Sequence, residues 1–232
     1  MKKQIPNLIT LCNLLCGVFS CAHAARGNVD VAGIFICLGI FFDFFDGMAA
    51  RLLDVSSPLG KELDSLADVV TSGVAPGFIL FNLLGGSQLP WLRWIGLLVP
   101  LFAAYRLAKF NLDTRQTHSF IGLPVPANAL IWVGFGIDAG FVFDHLWVAV
   151  ALAVLSIVTD IMMVSEVPMF SLKVNFKDLS WRTNSIQYIF LLGCAVIVAL
   201  GFVFALDFLF LPLLIIWYIF LSLLTQKKED AE

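Results

Sequence analysis

Charged side chains are scarce in this sequence. Asp, Glu, Lys and Arg together make up 13% of the 232 residues, whereas apolar residues make up 60%, and the mean hydropathy is +0.93. A soluble domain of this size does not need so much apolar sequence, because only its interior has to be buried. The scarcity of charge therefore excludes a soluble globular protein and predicts a chain that crosses a membrane several times.

Cysteine is too sparse and too poorly placed for a disulfide framework or a zinc site. The five cysteines all lie in apolar segments: Cys12, Cys16, Cys21, Cys37 and Cys194. Cys12 and Cys16 share a helical face, but no second ligand pair accompanies them, so we interpret them as packing residues. The sequence also lacks an internal repeat and a second domain, which predicts one membrane domain over residues 1–232.

Eight apolar segments are of spanning length, which for a helix is about 20 residues. Together they predict an all-α, polytopic bundle of about eight transmembrane helices. The segments lie near residues 7–25, 30–54, 58–83, 90–112, 124–142, 145–165, 184–204 and 207–225.

The basic residues are distributed unequally between the two sides that these segments define. With both termini in the cytoplasm, only Arg26 and Arg93 lie outside. Cytoplasmic loops carry an excess of Lys and Arg, so this orientation is predicted. The other twelve of the fourteen basic residues lie inside: Lys2, Lys3, Arg51, Lys61, Arg106, Lys109, Arg115, Lys173, Lys177, Arg182, Lys227 and Lys228.

The N-terminus is similar to a signal peptide, but polar residues interrupt its apolar core and seven spans follow, so we expect it to be retained.

Acidic residues concentrate over residues 43–68, where the second predicted span ends and the third begins. Asp43 and Asp46 are three residues apart, and Asp64 and Asp68 are four apart, so each pair shares one face of a helix. A short segment ending in Pro58 separates the pairs, and Pro58 suits the first turn of a second helix. The stretch therefore predicts a helical hairpin that directs four carboxylates to one place, on the cytoplasmic side.

Four carboxylates in an apolar bundle repel one another and lose hydration unless cations neutralise them. Oxygen ligands with no His or Cys nearby favour hard divalent cations such as Mg²⁺ or Mn²⁺. The alternative is that these are helix-end charges that face water, which would suffice for a single intramembrane Asp. Four acids at this spacing favour the metal site.

The acidic stretch reads D-x2-D-G-x2-A-R-x8-G-x3-D-x3-D, and it resembles the signature of the CDP-alcohol phosphotransferases at every specified position. The resemblance implies a six-helix core, here within residues 6 to about 177, plus two C-terminal helices near 184–225. It also implies that Asp43, Asp46 and Asp64 hold two divalent cations, and that Asp68 is the catalytic base and a further metal contact.

The same resemblance implies a nucleotide that lies against small residues of the hairpin. Gly47, Ala50 and Gly60 lack bulk and leave room for it. Arg51 is expected to clamp a phosphate or the acids; the alternative is a positive-inside anchor.

Other segments resemble the bacterial phosphatidylserine synthases, a branch of that family. They are Pro6–Gly17, which reads PNLITLCNLLCG; Arg106–Asn111, which reads RLAKFN where the branch has R-L-A-R-F-N; and Phe120–Ala127, which matches F-x-G-L-P-x-P-A. Lys109 in place of the usual Arg keeps the charge but loses the bidentate fork.

Polar residues in these segments are candidates for substrate contacts. Asn7, Thr10 and Asn13 form a polar stripe that should face the bundle; helix–helix hydrogen bonding is the alternative. We assign Asn7 and Thr10 to the CDP-lipid, and Asn13 with Arg106 and Lys109 to serine. For the two cations the alternative is snorkelling to the lipid headgroups.

The resemblance implies a CDP-diacylglycerol-dependent enzyme that transfers a phosphatidyl group to serine and releases CMP. It also implies a homodimer in the bacterial cytoplasmic membrane, with no nucleic-acid partner. Two alternatives stay open. One is the same chemistry with glycerol 3-phosphate or inositol phosphate as acceptor, although these anions would call for a denser basic pocket. The other is a cation transporter, which would not explain the small residues beside the acids.

Overall fold

The computed structural model of the chain describes residues 4–55, 57–113, 120–137, 145–170, 181–204 and 208–229. Helices dominate these residues, which confirms the all-α prediction. The α-helices are α1 Gln4–Ala24, α2 Val29–Leu52, α3 Pro58–Asp68, α4 Ala75–Gly85, α5 Leu98–Leu112, α6 Val125–Ile137, α7 Leu146–Val164, α8 Trp181–Val203 and α9 Phe210–Glu229. A π-helical turn, Val69–Val74, joins α3 to α4, and a 3₁₀ segment, Pro90–Leu97, leads into α5.

Each of the eight predicted spans corresponds to an apolar helical segment. Within the described residues, six are long and apolar enough to cross a membrane: Gln4–Ala24, Val29–Leu52, Pro58–Gly85, Pro90–Leu112, Leu146–Val164 and Ser185–Val203. The other two, Val125–Ile137 and Phe210–Thr225, are apolar but shorter. The chain is therefore a multi-pass helical membrane protein.

Several residues used to predict the orientation lie outside the described part of the chain. These are Lys2, Lys3, Arg115, Lys173 and Lys177, and the side chains of Arg182, Lys227 and Lys228 lie outside it as well. The predicted core over residues 6 to about 177 likewise includes residues 56, 114–119, 138–144 and 171–177, which the structure does not describe.

Small residues allow the N-terminal helices to approach closely around Thr71. A Cβ built on Gly17 of α1 or Gly39 of α2 would overlap Thr71 in the π-helical turn. Thr71 Oγ1 donates a 3.0 Å hydrogen bond to the backbone oxygen of Asn13. Close packing of small residues is a common way to associate helices in membranes. It places α1, α2 and the end of α3 in contact just where the predicted acids lie.

A short connection before α6 is fixed against the end of α7. The two-residue strands β1 Phe120–Ile121 and β2 Pro168–Met169 pair antiparallel, with Phe120 opposite Met169. Gly122 has φ +76°, a conformation that favours glycine. Its N–H donates to Val167 O at 2.8 Å, and Leu123 N–H donates to Met162 O at 3.1 Å. The F-x-G-L-P motif is therefore a tight turn held by the C-terminal end of α7.

Candidate active site

The predicted helical hairpin is present, and Pro58 begins its second helix as expected. α2 ends at Leu52 and α3 begins at Pro58, with the proline in the first turn. Ser57 is the N-cap of α3, and its Oγ accepts a 3.0 Å hydrogen bond from Gly60 N–H. A side-chain acceptor at this position satisfies one of the free N–H groups that begin every helix. In the hairpin, the acidic face of α2 therefore lies opposite the acidic face of α3.

Three of the four predicted acids form one cluster. Asp43, Asp64 and Asp68 each offer a carboxylate oxygen, and these atoms all lie within 4.8 Å of one another. Asp68 is buried, and the other two are half-buried. Asp64 Oδ1 is buried without a hydrogen-bond partner among the described residues. A converging, all-oxygen donor set with a free buried oxygen fits a hard divalent cation.

Asp46 lies beside this cluster and is held by α1. It is buried, and its Oδ2 accepts a 2.6 Å hydrogen bond from Thr10 Oγ1, which also donates to Pro6 O at 3.0 Å. With Asp64 it lines a cavity of about 250 Å³ between α1, α2 and α3, which we call the α1–α3 cavity. Thr10 therefore orients a carboxylate of the acidic stretch.

Most residues assigned to a nucleotide from the sequence line the α1–α3 cavity. Its lining residues are Pro6, Asn7, Thr10, Asp46, Gly47, Ala50, Val55, Ser57, Gly60, Lys61 and Asp64. A Cβ on Gly60 would lie 3.1 Å from Asn7 Oδ1, so only glycine fits this wall without displacing Asn7. Arg51 is absent from this set of described residues: it is exposed, and its Nε donates to Gly47 O at 3.0 Å.

Asn13 contacts the acidic cluster directly. Its Nδ2 donates a 3.3 Å hydrogen bond to Oδ1 of Asp68. Both side chains are buried, and Asn13 is fully inaccessible. The first two residues of the polar stripe, Asn7 and Thr10, line the α1–α3 cavity. Asn13, the third, contacts Asp68, which does not belong to the described lining of that cavity. The stripe therefore faces the bundle as predicted.

The two predicted cations of α5 have different surroundings. Arg106 is 7% exposed, lies within electrostatic range of Asp68, and its Nε has no hydrogen-bond partner among the described residues. Its guanidinium carbon is 5.3 Å from the ring centroid of Phe110. Lys109 pairs instead with Glu166 at 3.4 Å and donates to Val164 O at 3.5 Å. Among the described residues, Arg106 thus has an unpaired Nε–H near the acids, whereas Lys109 contacts the end of α7.

Two residues near the site were missed from the sequence. Lys61 lines the α1–α3 cavity and donates to Asn111 O at 2.9 Å; its place directly after Gly60 of the signature could have drawn attention to it. Tyr218 of α9 is buried within electrostatic range of Arg106, and its hydroxyl donates to Phe170 O at 3.2 Å. No local pattern in α9 indicates this placement.

Comparison with known proteins finds a matching family model and several relatives. The family model for CDP-alcohol phosphatidyltransferase matches residues 3–137. A Bacillus subtilis (strain 168) protein is 41% identical over 128 residues, covering 53% of this chain and 70% of the relative. A Helicobacter pylori (strain J99) protein is 37% identical over 130 residues, and this chain spans about half of its length (55%). A Mycobacterium leprae (strain TN) protein is 31% identical over 235 residues, covering 95% of this chain and 72% of the relative. All three are named CDP-diacylglycerol–serine O-phosphatidyltransferase.

Proposed function

The chain belongs to the CDP-alcohol phosphatidyltransferase family, and we propose that it transfers the phosphatidyl group of CDP-diacylglycerol to the hydroxyl of L-serine, giving phosphatidylserine and CMP. The observation that carries this proposal is the convergence of Asp43, Asp64 and Asp68 within 4.8 Å, beside a cavity lined by small residues. Relatives named for the serine reaction support serine as the acceptor.

The aspartates are the residues that would hold the two divalent cations, Mg²⁺ or Mn²⁺, implied by the family. Asp43, Asp64 and Asp68 form the converging set, and Asp46 lies next to them on the cavity wall. When bound, such cations neutralise a pyrophosphate and stabilise the charge that develops as the phosphate ester breaks.

The chain's own side chains position the donor and accept the proton. Asn7, Gly47, Ala50 and Gly60 shape the cavity for the cytidine nucleotide. Asp68 takes the proton of the serine hydroxyl as that oxygen bonds to the lipid-bearing phosphorus. The bond from this phosphorus to the CMP oxygen breaks, and CMP leaves with the electron pair. Asn13 holds Asp68 in place for this step.

Serine is a zwitterion and needs a cation for its carboxylate. Arg106 is buried near Asp68, and its Nε–H has no partner among the described residues, so we assign the carboxylate to Arg106. Lys109, which contacts Glu166, has a supporting role at most. Arg51 contributes a positive charge at the exposed edge of the hairpin and is not among the described residues that line the cavity.

We further propose that the site opens to the cytoplasm and that both termini lie there, in a bacterial cytoplasmic membrane. This orientation rests on the twelve-to-two distribution of basic residues. A homodimer remains a prediction from the family resemblance.

The decisive experiment supplies the purified protein in detergent–lipid micelles with CDP-diacylglycerol, Mg²⁺ and one alcohol at a time. We expect CMP release with serine that exceeds the release with glycerol 3-phosphate, inositol phosphate or no acceptor. A higher kcat/KM with either anionic alcohol would overturn serine as the substrate and keep the reaction type. The absence of CMP release with every alcohol would overturn the reaction itself.

A further inference from the structure

Lys61 brings positive charge to a cavity otherwise lined by acidic, polar and apolar residues. Of the described residues that line the α1–α3 cavity, only Lys61 has a cationic side chain. The cavity also holds Asp46 and Asp64, so an anionic occupant would meet two carboxylates there. A cation on the wall offsets part of this repulsion and offers direct hydrogen bonds to a phosphate.

The Lys61 ammonium also contacts the end of α5. Its Nζ donates a 2.9 Å hydrogen bond to the backbone oxygen of Asn111, in the last helical turn. Carbonyl groups in a last turn have no partner within their helix, so a lysine is a suitable donor for them. An ammonium group has three N–H donors, and the bond to Asn111 uses one of them. Two donors remain for an occupant of the cavity.

A second contact joins the same two helices. Asn111 Nδ2 donates a 2.9 Å hydrogen bond to Ser65 Oγ. Lys61 and Ser65 are four residues apart and so lie on one face of α3. Asn111 is therefore bound to α3 twice, once through its backbone and once through its side chain. Ser65 directly follows Asp64 of the acidic cluster.

α5 is also the helix that carries Arg106. Arg106 precedes Asn111 by little more than one helical turn and lies within electrostatic range of Asp68. A helix whose C-terminal turn is bound to α3 holds Arg106 at a defined distance from the acids of α3. The contacts of Asn111 thus link the wall of the cavity to the position of Arg106.

We propose that Lys61 binds the cytidine-linked phosphate of the nucleotide-linked lipid and that, with Ser65, it positions α5 through Asn111 so that Arg106 can bind the acceptor. The proposal rests on the proposed function and extends it to positions that the family signature leaves unspecified. The alternative role for Lys61 is that of a headgroup-facing cation at a helix end, which would leave nucleotide binding unchanged.

The phosphate contact is tested by CMP binding, measured calorimetrically on the purified protein with Mg²⁺. Lys61→Met keeps the aliphatic stem and removes the donors, so the CMP Kd should rise about tenfold or more. Lys61→Arg should stay within a few-fold of the wild type, and Glu62→Gln, on the exposed neighbouring residue, should not change the Kd. Lys61→Gln serves if the Met variant does not fold, as judged by gel filtration. A Kd within twofold of the wild type in a folded variant would overturn the phosphate contact.

The positioning role is tested with Asn111→Ala and Ser65→Ala, because each removes the bond between the two side chains and leaves Lys61 intact. At saturating CDP-diacylglycerol, each should raise the acceptor KM several-fold with little change in kcat or CMP Kd. The double variant should be no worse than either single one, since both remove the same bond. An unchanged KM, or effects that add, would overturn the positioning role.

These outcomes are separable from failure of the proposed function. CMP binding does not depend on which alcohol the protein uses. If the wild type rejects serine and accepts another alcohol, serine is the wrong acceptor, and the KM comparison is made with the alcohol that is used.

Discussion

Asn13 of α1 donates a 3.3 Å hydrogen bond from Nδ2 to Oδ1 of Asp68, the last residue of α3. The backbone oxygen of Asn13 accepts a second bond, from Thr71 Oγ1 at 3.0 Å. One residue of the first helix therefore holds both an aspartate of the acidic cluster and the π-helical turn that follows it. π-helical turns within longer helices are frequent at functional sites. Here the turn begins at Val69, directly after Asp68.

Replacing Asn13 by Ala should lower kcat more than it raises the serine KM. The change removes the donor that orients Asp68, and a hydrogen bond to a charged group contributes roughly 1.5–3 kcal/mol, or about 10–100-fold in rate. Steady-state kinetics in serine and in CDP-diacylglycerol measure the effect. Leu11→Ala, on the exposed side of the same helix, is the control and should be neutral. A rise in serine KM alone would show that Asn13 binds serine instead.

Asp68→Asn should abolish most turnover while the protein still binds nucleotide. The amide keeps the shape of the side chain but cannot accept a proton from serine, and loss of a general base costs about 10²–10⁴-fold. The measurement is single-turnover CMP release together with CMP binding in the same preparation. Turnover at the wild-type rate with intact binding would require another base.

Removal of divalent cations should stop the reaction. EDTA should abolish CMP release, and Mg²⁺ or Mn²⁺ should restore it, because the converging oxygens of Asp43, Asp64 and Asp68 fit such ions. Asp43→Asn and Asp64→Asn should each lower the rate by about 10²-fold or more. Asp46→Asn should have the same effect, because the family resemblance assigns Asp46 to the metal site. Full turnover in excess chelator would rule out metal assistance.

The acidic hairpin could be predicted from the sequence because its determinants are local. Helical periodicity fixes which side chains share a face, and Pro58 indicates where α3 begins. The membrane spans could also be predicted from local sequence, because each helix that crosses a membrane requires a long continuous apolar stretch.

The partners of the basic residues could not be predicted, because they come from distant parts of the chain. The ion pair of Lys109 with Glu166 forms only when the end of α7 packs against α5, so the sequence around Lys109 does not indicate it. Tyr218 lies near Arg106 because α9 packs against α6 and β2, which places Tyr218 in one apolar cluster with Leu107 of α5. No pattern within α9 encodes that placement. Periodicity identifies a face of a helix, whereas the neighbour of that face depends on tertiary packing.

The predicted orientation can be tested with single cysteines in a variant that lacks the five native ones. Glu62, near the start of α3, and Gln88, between α4 and the 3₁₀ segment, are both exposed. A cysteine at position 62 should react with a membrane-impermeant maleimide only after the cytoplasmic side is opened, and one at position 88 should react from outside. The reverse labelling pattern would invert the topology.

The proposed selection of serine rests on Arg106. This side chain is buried next to the aspartates, and its Nε is unpaired within the described residues. Lys109 offers a matched comparison on the same helix, since its ammonium already contacts Glu166 and Val164.

Arg106→Ala should raise the serine KM by about 10–100-fold, because a buried charge-assisted contact contributes roughly 1.5–3 kcal/mol. The KM for CDP-diacylglycerol should change much less, and Lys109→Ala should have a smaller effect on serine than Arg106→Ala. Ethanolamine lacks the carboxylate, so its disadvantage relative to serine should shrink in the Arg106 variant. The measurement is kcat/KM for both alcohols in the three proteins, after equal folding has been verified by thermal unfolding. If Arg106→Ala weakens serine and CDP-diacylglycerol equally, Arg106 contacts the phosphates, and the serine carboxylate binds elsewhere.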